Sequence, residues 1–228
     1  MKKFIPLLVF LLTLMSAIAD AQDAVDDFGI WSTISIDKKI SQKFGVALDE
    51  ELRTFDNASR IDQYFTNAGV NYKLDKNIRF GITYRFINKG RDDMSYSKRH
   101  RIYFDASYRK KVYAFNVSYR FRIQGQVKDY RSSDNGKHLE SIMRHKLDVK
   151  YNYKRFTPYV AAEFFFQFVD PGFPAGNNLW NRERFYIGSD YDLNKKSTFG
   201  CFFMLQRTIN IDSPQRDFIL GLEYNLSF

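Results

Sequence analysis

From Ile78 to Phe86 the chain changes character at every second residue. Ile78, Phe80, Ile82, Tyr84 and Phe86 fall on one side; Arg79, Gly81, Thr83 and Arg85 fall on the other. A helix would scatter both sets around its circumference, whereas a strand sends successive side chains to opposite faces and keeps them apart. The rhythm returns along the chain. Phe44, Val46, Leu48 and Leu52 oppose Asp49, Glu51 and Arg53, and Tyr64, Ala68, Val70 and Tyr72 oppose Gln63, Asn67 and Asn71. Ile102, Phe104 and Tyr108 oppose Arg101, Asp105 and Arg109, and Phe115, Val117, Tyr119, Phe121 and Ile123 oppose Ser118, Arg120 and Arg122. The same split recurs near Leu147, Phe164, Phe185 and Phe203. These runs last roughly ten residues, the length that crosses a bilayer at a tilt. Strands of ordinary globular proteins average about 5–6. One apolar face and one charged face on strands of that length predict an all-β fold: a single antiparallel up-and-down transmembrane β-barrel.

Mean hydropathy is −0.44, a value that suits a soluble protein. In a membrane barrel, however, lipid-facing residues alternate with lumen-facing ones, and the average hides the apolar half. The 23 Phe and 15 Tyr against 5 Pro fit pleated strands, because Pro cannot donate to a ladder. After the first 21 residues no apolar stretch reaches the ~18 residues of a membrane helix.

Those first residues have the layout of an export signal. Lys2 and Lys3 are followed by an apolar run over 4–18 and by Ala19-Asp20-Ala21, a small-x-small site that places cleavage before Gln22. The expected organisation is a cleaved signal peptide over 1–21 and one outer-membrane barrel domain over 22–228. Cys201 is the sole cysteine, so no intrachain disulfide can form. Closure of a sheet in lipid, with every backbone group paired, supplies the missing constraint.

Connections alternate in length. Asp75-Lys76-Asn77, Arg109-Lys110-Lys111, Lys154-Arg155-Phe156 and Asn194-Lys195-Lys196 are short; 88–98, 125–137, 170–181 and 208–215 are long. Short periplasmic turns and long outer loops have this order. Strands from Phe44 onward number about ten, and Phe28 to Asp37 is one further candidate; since bacterial single-chain barrels use even numbers, ten to twelve are expected and twelve is favoured. The chain ends in alternation on Tyr224, Leu226 and Phe228, a form that resembles the C-terminal strand read by the barrel-assembly machinery.

Phe28-Gly29-Ile30-Trp31, Glu51-Leu52-Arg53, Arg79-Phe80-Gly81, Tyr84-Arg85, His100-Arg101, Arg144-His145 and Asn181-Arg182 together resemble the family catalogued as domain of unknown function 2490, exported proteins of Gram-negative bacteria. The resemblance covers nearly the whole chain after the leader. It implies an outer-membrane barrel and no particular activity.

Charges on the lipid face at mid-depth cost about 2–4 kcal/mol, so those on the strands are expected to face inward. The candidate lumen network is Asp49, Glu51, Arg53, Arg79, Arg85, Arg101, Asp105, Arg120, Arg122, Arg144, Glu163, Arg182, Arg184, Asp190 and Glu223, with Lys146 and Asp148 beside it. Paired, these side chains fill a closed lumen; in excess, a basic ring favours anions. Glu51 and Arg53 share one face of a strand, where Arg85 or Arg101 could complete a ladder. Phe165 and Phe202 fall inward, either against Arg stems or as an apolar path.

An enzyme acting on membrane lipids would need a histidine base at the rim, and His100, His138 and His145 are the candidates. His138 and Ser141 are three apart, which puts them on opposite faces of a strand and argues against a dyad. Metal-ligand spacing is absent and no cofactor is expected. The readings are therefore three: a barrel with a structural or small-solute or lipid passage role, a barrel esterase or acyltransferase, and a soluble periplasmic ligand-binding barrel. Expected partners are outer-membrane lipids, lipopolysaccharide and the barrel-assembly machinery, and no nucleic acid, since the +9 charge is spread by alternation.

Overall fold

The computed structural model describes residues 25–91, 93, 95–128, 139–169, 180–210 and 214–228. The predicted leader and His138 lie outside them. The described residues form eleven strands: β1 (Val25–Lys39), β2 (Phe44–Phe55), β3 (Arg60–Lys73), β4 (Ile78–Gly90), β5 (Tyr96–Val112), β6 (Phe115–Lys128), β7 (Leu139–Tyr151), β8 (Phe156–Val169), β9 (Trp180–Asp192), β10 (Ser197–Thr208) and β11 (Gln215–Ser227). Each pairs antiparallel with its sequence neighbour, and β1 closes the barrel by pairing parallel with β11 from Val25↔Gln215 to Asp37↔Ser227. The barrel is thus the expected one, with eleven strands rather than the favoured twelve. The parallel seam is the reason: an odd number of up-and-down strands closes only if first and last run the same way. Phe28 to Asp37 is wall.

Strands run from 12 to 17 residues. The surplus over the roughly ten that cross hydrocarbon carries paired backbone into both rims. One predicted turn is displaced. Arg109-Lys110-Lys111 lies inside β5, and the chain reverses at Tyr113-Ala114, where Val112 pairs with Phe115 and Tyr113 adopts φ 56°. Three basic side chains are compatible with strand where it leaves the membrane for water, and a two-residue hairpin needs only one left-handed residue to fold back.

Burial is inverted relative to a soluble barrel. Ile34, Ile82, Ile102 and Ile187 are each 58–61% exposed on the outer wall. Asn67, Arg85, Arg122, Gln124, Arg144 and Glu163 are buried inside. Aromatics gather at both ends of the wall. Phe44–Tyr72, Phe115–Tyr151 and Phe156–Tyr191 pack near the short turns, and Tyr64–Tyr96 and Phe166–Trp180 near the long connections. These are the positions of interfacial girdles. At the seam, Tyr224 and Leu226 sit on the outer side of β11, and the amide of the terminal Phe228 donates to the Asp37 carbonyl at 2.9 Å.

Candidate functional site

Inside the barrel one level of side chains alternates between guanidinium and ring. Arg53 lies 3.5 Å from the Trp31 ring centre and 4.9 Å from that of Phe65. Arg85 covers Phe65 at 3.7 Å and approaches Tyr103 at 5.6 Å, and Arg122 covers Tyr103 at 3.9 Å. Arg122 faces Arg144 across β6–β7. Arg144 and Arg184 both sit on Phe165, at 4.5 and 4.7 Å. Arg184 then reaches back to Trp31 at 5.0 Å, so the belt closes on itself. Each stacked cation is worth about 0.5–2 kcal/mol, more where water is excluded. The rings also hold long side chains in fixed positions that a flexible arginine would not keep alone.

Carboxylates neutralise only part of this belt. Glu163, 1% exposed, is the hub. Both of its oxygens accept Arg144 Nη2 at 2.9 Å, Arg120 Nη2 donates at 2.8 Å, Tyr186 Oη at 3.2 Å, and Arg184 Nη1 stands at 3.7 Å. Asp105 holds Arg122 with two bonds of 2.6 and 2.7 Å. Glu51 pairs with Arg53 at 2.6 Å, and Asp190 with Lys150 at 2.8 Å. Asp49 accepts from Asn67 at 3.2 Å. Glu223 and Arg79 line the lumen below the belt. The supposed extension of the Glu51–Arg53 ladder is not found: Arg85 donates to Asn67 Oδ1 at 2.6 Å and to Tyr103 Oη at 3.4 Å, and Arg101 donates to Gln126 Oε1 at 3.0 Å. Among the described residues Arg85, Arg101 and Arg182 form no ion pair, and the Nε of Arg182 is buried without an acceptor.

The belt does not seal the lumen. One continuous cavity of about 800 Å³ runs from Asp75-Lys76-Asn77 at the short-turn rim to Arg99, Glu140 and Thr208 beneath the long connections. Fifteen basic and seven acidic side chains line it. At its lower mouth the backbone N–H groups of Asn77 and Ile78 hold the Asp75 carboxyl below the usual carboxylate range, so that this rim acid stays ionised. Between Arg184 and Arg53 the wall is apolar: Phe202, Met204 and Ile219 pack with Trp31, Tyr159 and Tyr186. Phe165 takes the arginine-stacking role, and Phe202 fills its patch rather than opening a path.

The histidines point elsewhere. His100 and His145 are on the outer wall, where each ring Nδ1 meets a tyrosine hydroxyl, Tyr84 or Tyr119, at 2.7 Å. Phe86 flanks His100, and Phe121 and Phe166 flank His145. The hydroxyl that meets His145 is thus that of Tyr119, not of a serine nucleophile. No cluster of metal-ligating side chains exists among the described residues. The belt aromatics Trp31, Phe65 and Tyr103 escaped the sequence reading, although the two-residue period already put Phe65 on the face of Gln63 and Asn67.

The family model described as protein of unknown function (DUF2490) matches residues 28–216. No curated protein matches. Among solved structures, the NanC porin is similar with a TM-score of 0.50 at 14% identity, over 83% of this chain and 93% of that one. The beta domain of the Bordetella autotransporter BrkA gives a TM-score of 0.49 at 11% identity, over 79% and 82%. The fold is that of outer-membrane β-barrels.

Proposed function

Because the chain belongs to the DUF2490 family, whose members share a description but no stated activity, we propose a function from its lumen: an outer-membrane barrel that admits and passes small anions. The observation that carries this is the continuous cavity with fifteen basic against seven acidic lining groups. Low-dielectric walls focus that excess charge along the lumen, concentrating anions and repelling cations. The outward isoleucines support placement in a bilayer, since an exposed apolar band of this extent has no use in water.

Purified protein reconstituted in a planar bilayer under a potassium chloride gradient tests the reading. The expected result is single-channel steps with a reversal potential set by chloride, anions being favoured several-fold. Replacing both Arg85 and Arg101 with Gln is expected to reduce that preference toward unity. A silent bilayer, or a cation-selective one, would discard the proposal.

A further inference from the structure

Between its rims the lumen sets three pairs of like charge directly opposite one another across neighbouring strands, Arg120↔Lys146 and Arg122↔Arg144 on β6–β7 and Arg85↔Arg101 on β4–β5, while further like pairs such as Lys73↔Arg79 on β3–β4 stand at the rims. Like charges in that position repel. Two of the pairs are relieved from within. Glu163 takes Arg120 and Arg144, and Asp105 takes Arg122. The third is not. Arg85 and Arg101 have only neutral acceptors, the side chains of Asn67, Tyr103 and Gln126. Both line the cavity and neither can lose its proton under ordinary conditions. Arg182, on β9, lines the same cavity with its Nε unaccepted. Arg53 and Arg144 lie within electrostatic reach of both Arg101 and Arg182, and the Asp217 carboxylate also acts on Arg182, so the uncompensated charge is concentrated on Arg85 and Arg101.

The ring beneath Arg85 fixes its plane, and Gln126 is itself anchored by donating to Glu140 at 2.8 Å. The donors are therefore set before any ligand arrives. Planar guanidiniums with free N–H edges match the paired oxygens of carboxylate and phosphate. A ligand with one charge would leave the Arg85–Arg101 pair half uncompensated; one with two or more would balance it.

We propose that the lumen carries a built binding site, centred on Arg85 and Arg101 with Arg182 lining the same cavity, for a small solute bearing at least two negative oxyanion charges as carboxylate or phosphate. The site rests on the anion-passage reading and gives the passing solute a place to reside.

The test needs no bilayer. Heated and unheated protein in detergent is resolved on a gel, and the temperature at which the compact form is lost is followed with citrate, inorganic phosphate or chloride at matched ionic strength. Citrate or phosphate is expected to raise that midpoint by about 5–10 °C at a hundredfold excess over Kd, with chloride inert. A rise with only one of the two identifies the oxyanion. Arg101→Gln is expected to do two things: to raise the anion-free midpoint, because the facing repulsion is gone, and to abolish the response. Arg85→Gln is read in the same way should the first variant fail to insert. Lys38→Gln removes an equal charge from the exposed short-turn rim and should respond as the parent does. No response to either oxyanion, or an undiminished response in Arg101→Gln and Arg85→Gln, overturns the site. An anion-selective channel without thermal response sinks the site alone, and a thermal response without conductance sinks the passage reading alone.

Discussion

Glu163→Gln is expected to be the most damaging single-atom change in the barrel, lowering stability by about 3–5 kcal/mol. Glu163 is fully buried and takes Arg144, Arg120 and Arg184 together with the Tyr186 hydroxyl. The amide keeps the shape and loses the charge, so three guanidiniums are left sharing one neutral acceptor inside a closed wall. Taking away one partner of a buried charge network costs far more than the network contributes against an apolar replacement. Asp105→Asn serves as the internal comparison. Asp105 holds Arg122 alone, and a smaller loss is expected. The midpoint of the heated-gel transition, or a urea titration in detergent, checks both. Removing Arg144 as well should recover part of the loss, because a cation without its counter-charge goes with it; a double variant as poor as the sum of the singles would show that the two do not act as a pair. A Glu163→Gln midpoint equal to the parent's would mean that the hub is not formed.

How much of this was legible from the chain follows from what each signal depends on. Inward and outward faces depend on one strand at a time, and the two-residue rhythm around Ile82 or Ile102 states them outright. The hub does not. Seven acids line the cavity, and nothing within β8 marks Glu163 above the others. What selects it is register: Glu163 lies beside Lys146 on one flank and Arg184 on the other, with Arg120 in the same row one strand beyond Lys146 and Arg144 two residues away along β7. Register between strands is set by the closure of the whole sheet, and no single segment encodes it. The belt has the same origin. Trp31, Phe65 and Tyr103 look like lapses in polar faces until the arginines of neighbouring strands are placed against them. Local irregularities add a further loss. Pairing slips at Arg53/Thr54, Ser141/Ile142 and Phe165/Phe166, and each slip resets which residues oppose one another toward the long connections. Eleven strands lie within the expected ten to twelve, and the favoured twelve was one too many for a related reason: even numbers hold only when the closing pair is antiparallel, and here it is parallel.

Gly221→Ala is the second change expected to be costly, by about 1–3 kcal/mol, and it acts on the apolar wall. Phe202 stands between two glycines, paired with Gly188 on β9 and Gly221 on β11. A Cβ on Gly221 would fall within the Phe202 ring, while one on Gly188 would lie 2.7 Å from the Phe202 Cβ and 2.9 Å from Tyr159 Cζ. The ring has nowhere to retreat. Met204 and Ile219 are buried against it, Trp31 and Tyr159 close the cluster, and the Tyr186 ring centre is 5.7 Å away. Glycine here makes room for an aromatic laid over its neighbouring strand, a pairing that also shields an otherwise bare stretch of backbone. Phe202→Ala should cost about 3–5 kcal/mol by leaving a cavity. The decisive measurement is the double variant. With the ring gone, the methyl at Gly221 meets open space, so Gly221→Ala in the Phe202→Ala background should be close to neutral or slightly favourable, since alanine gives up less backbone freedom than glycine on folding. An undiminished penalty in that background would locate the requirement for Gly221 in the strand itself and remove Phe202 from the explanation.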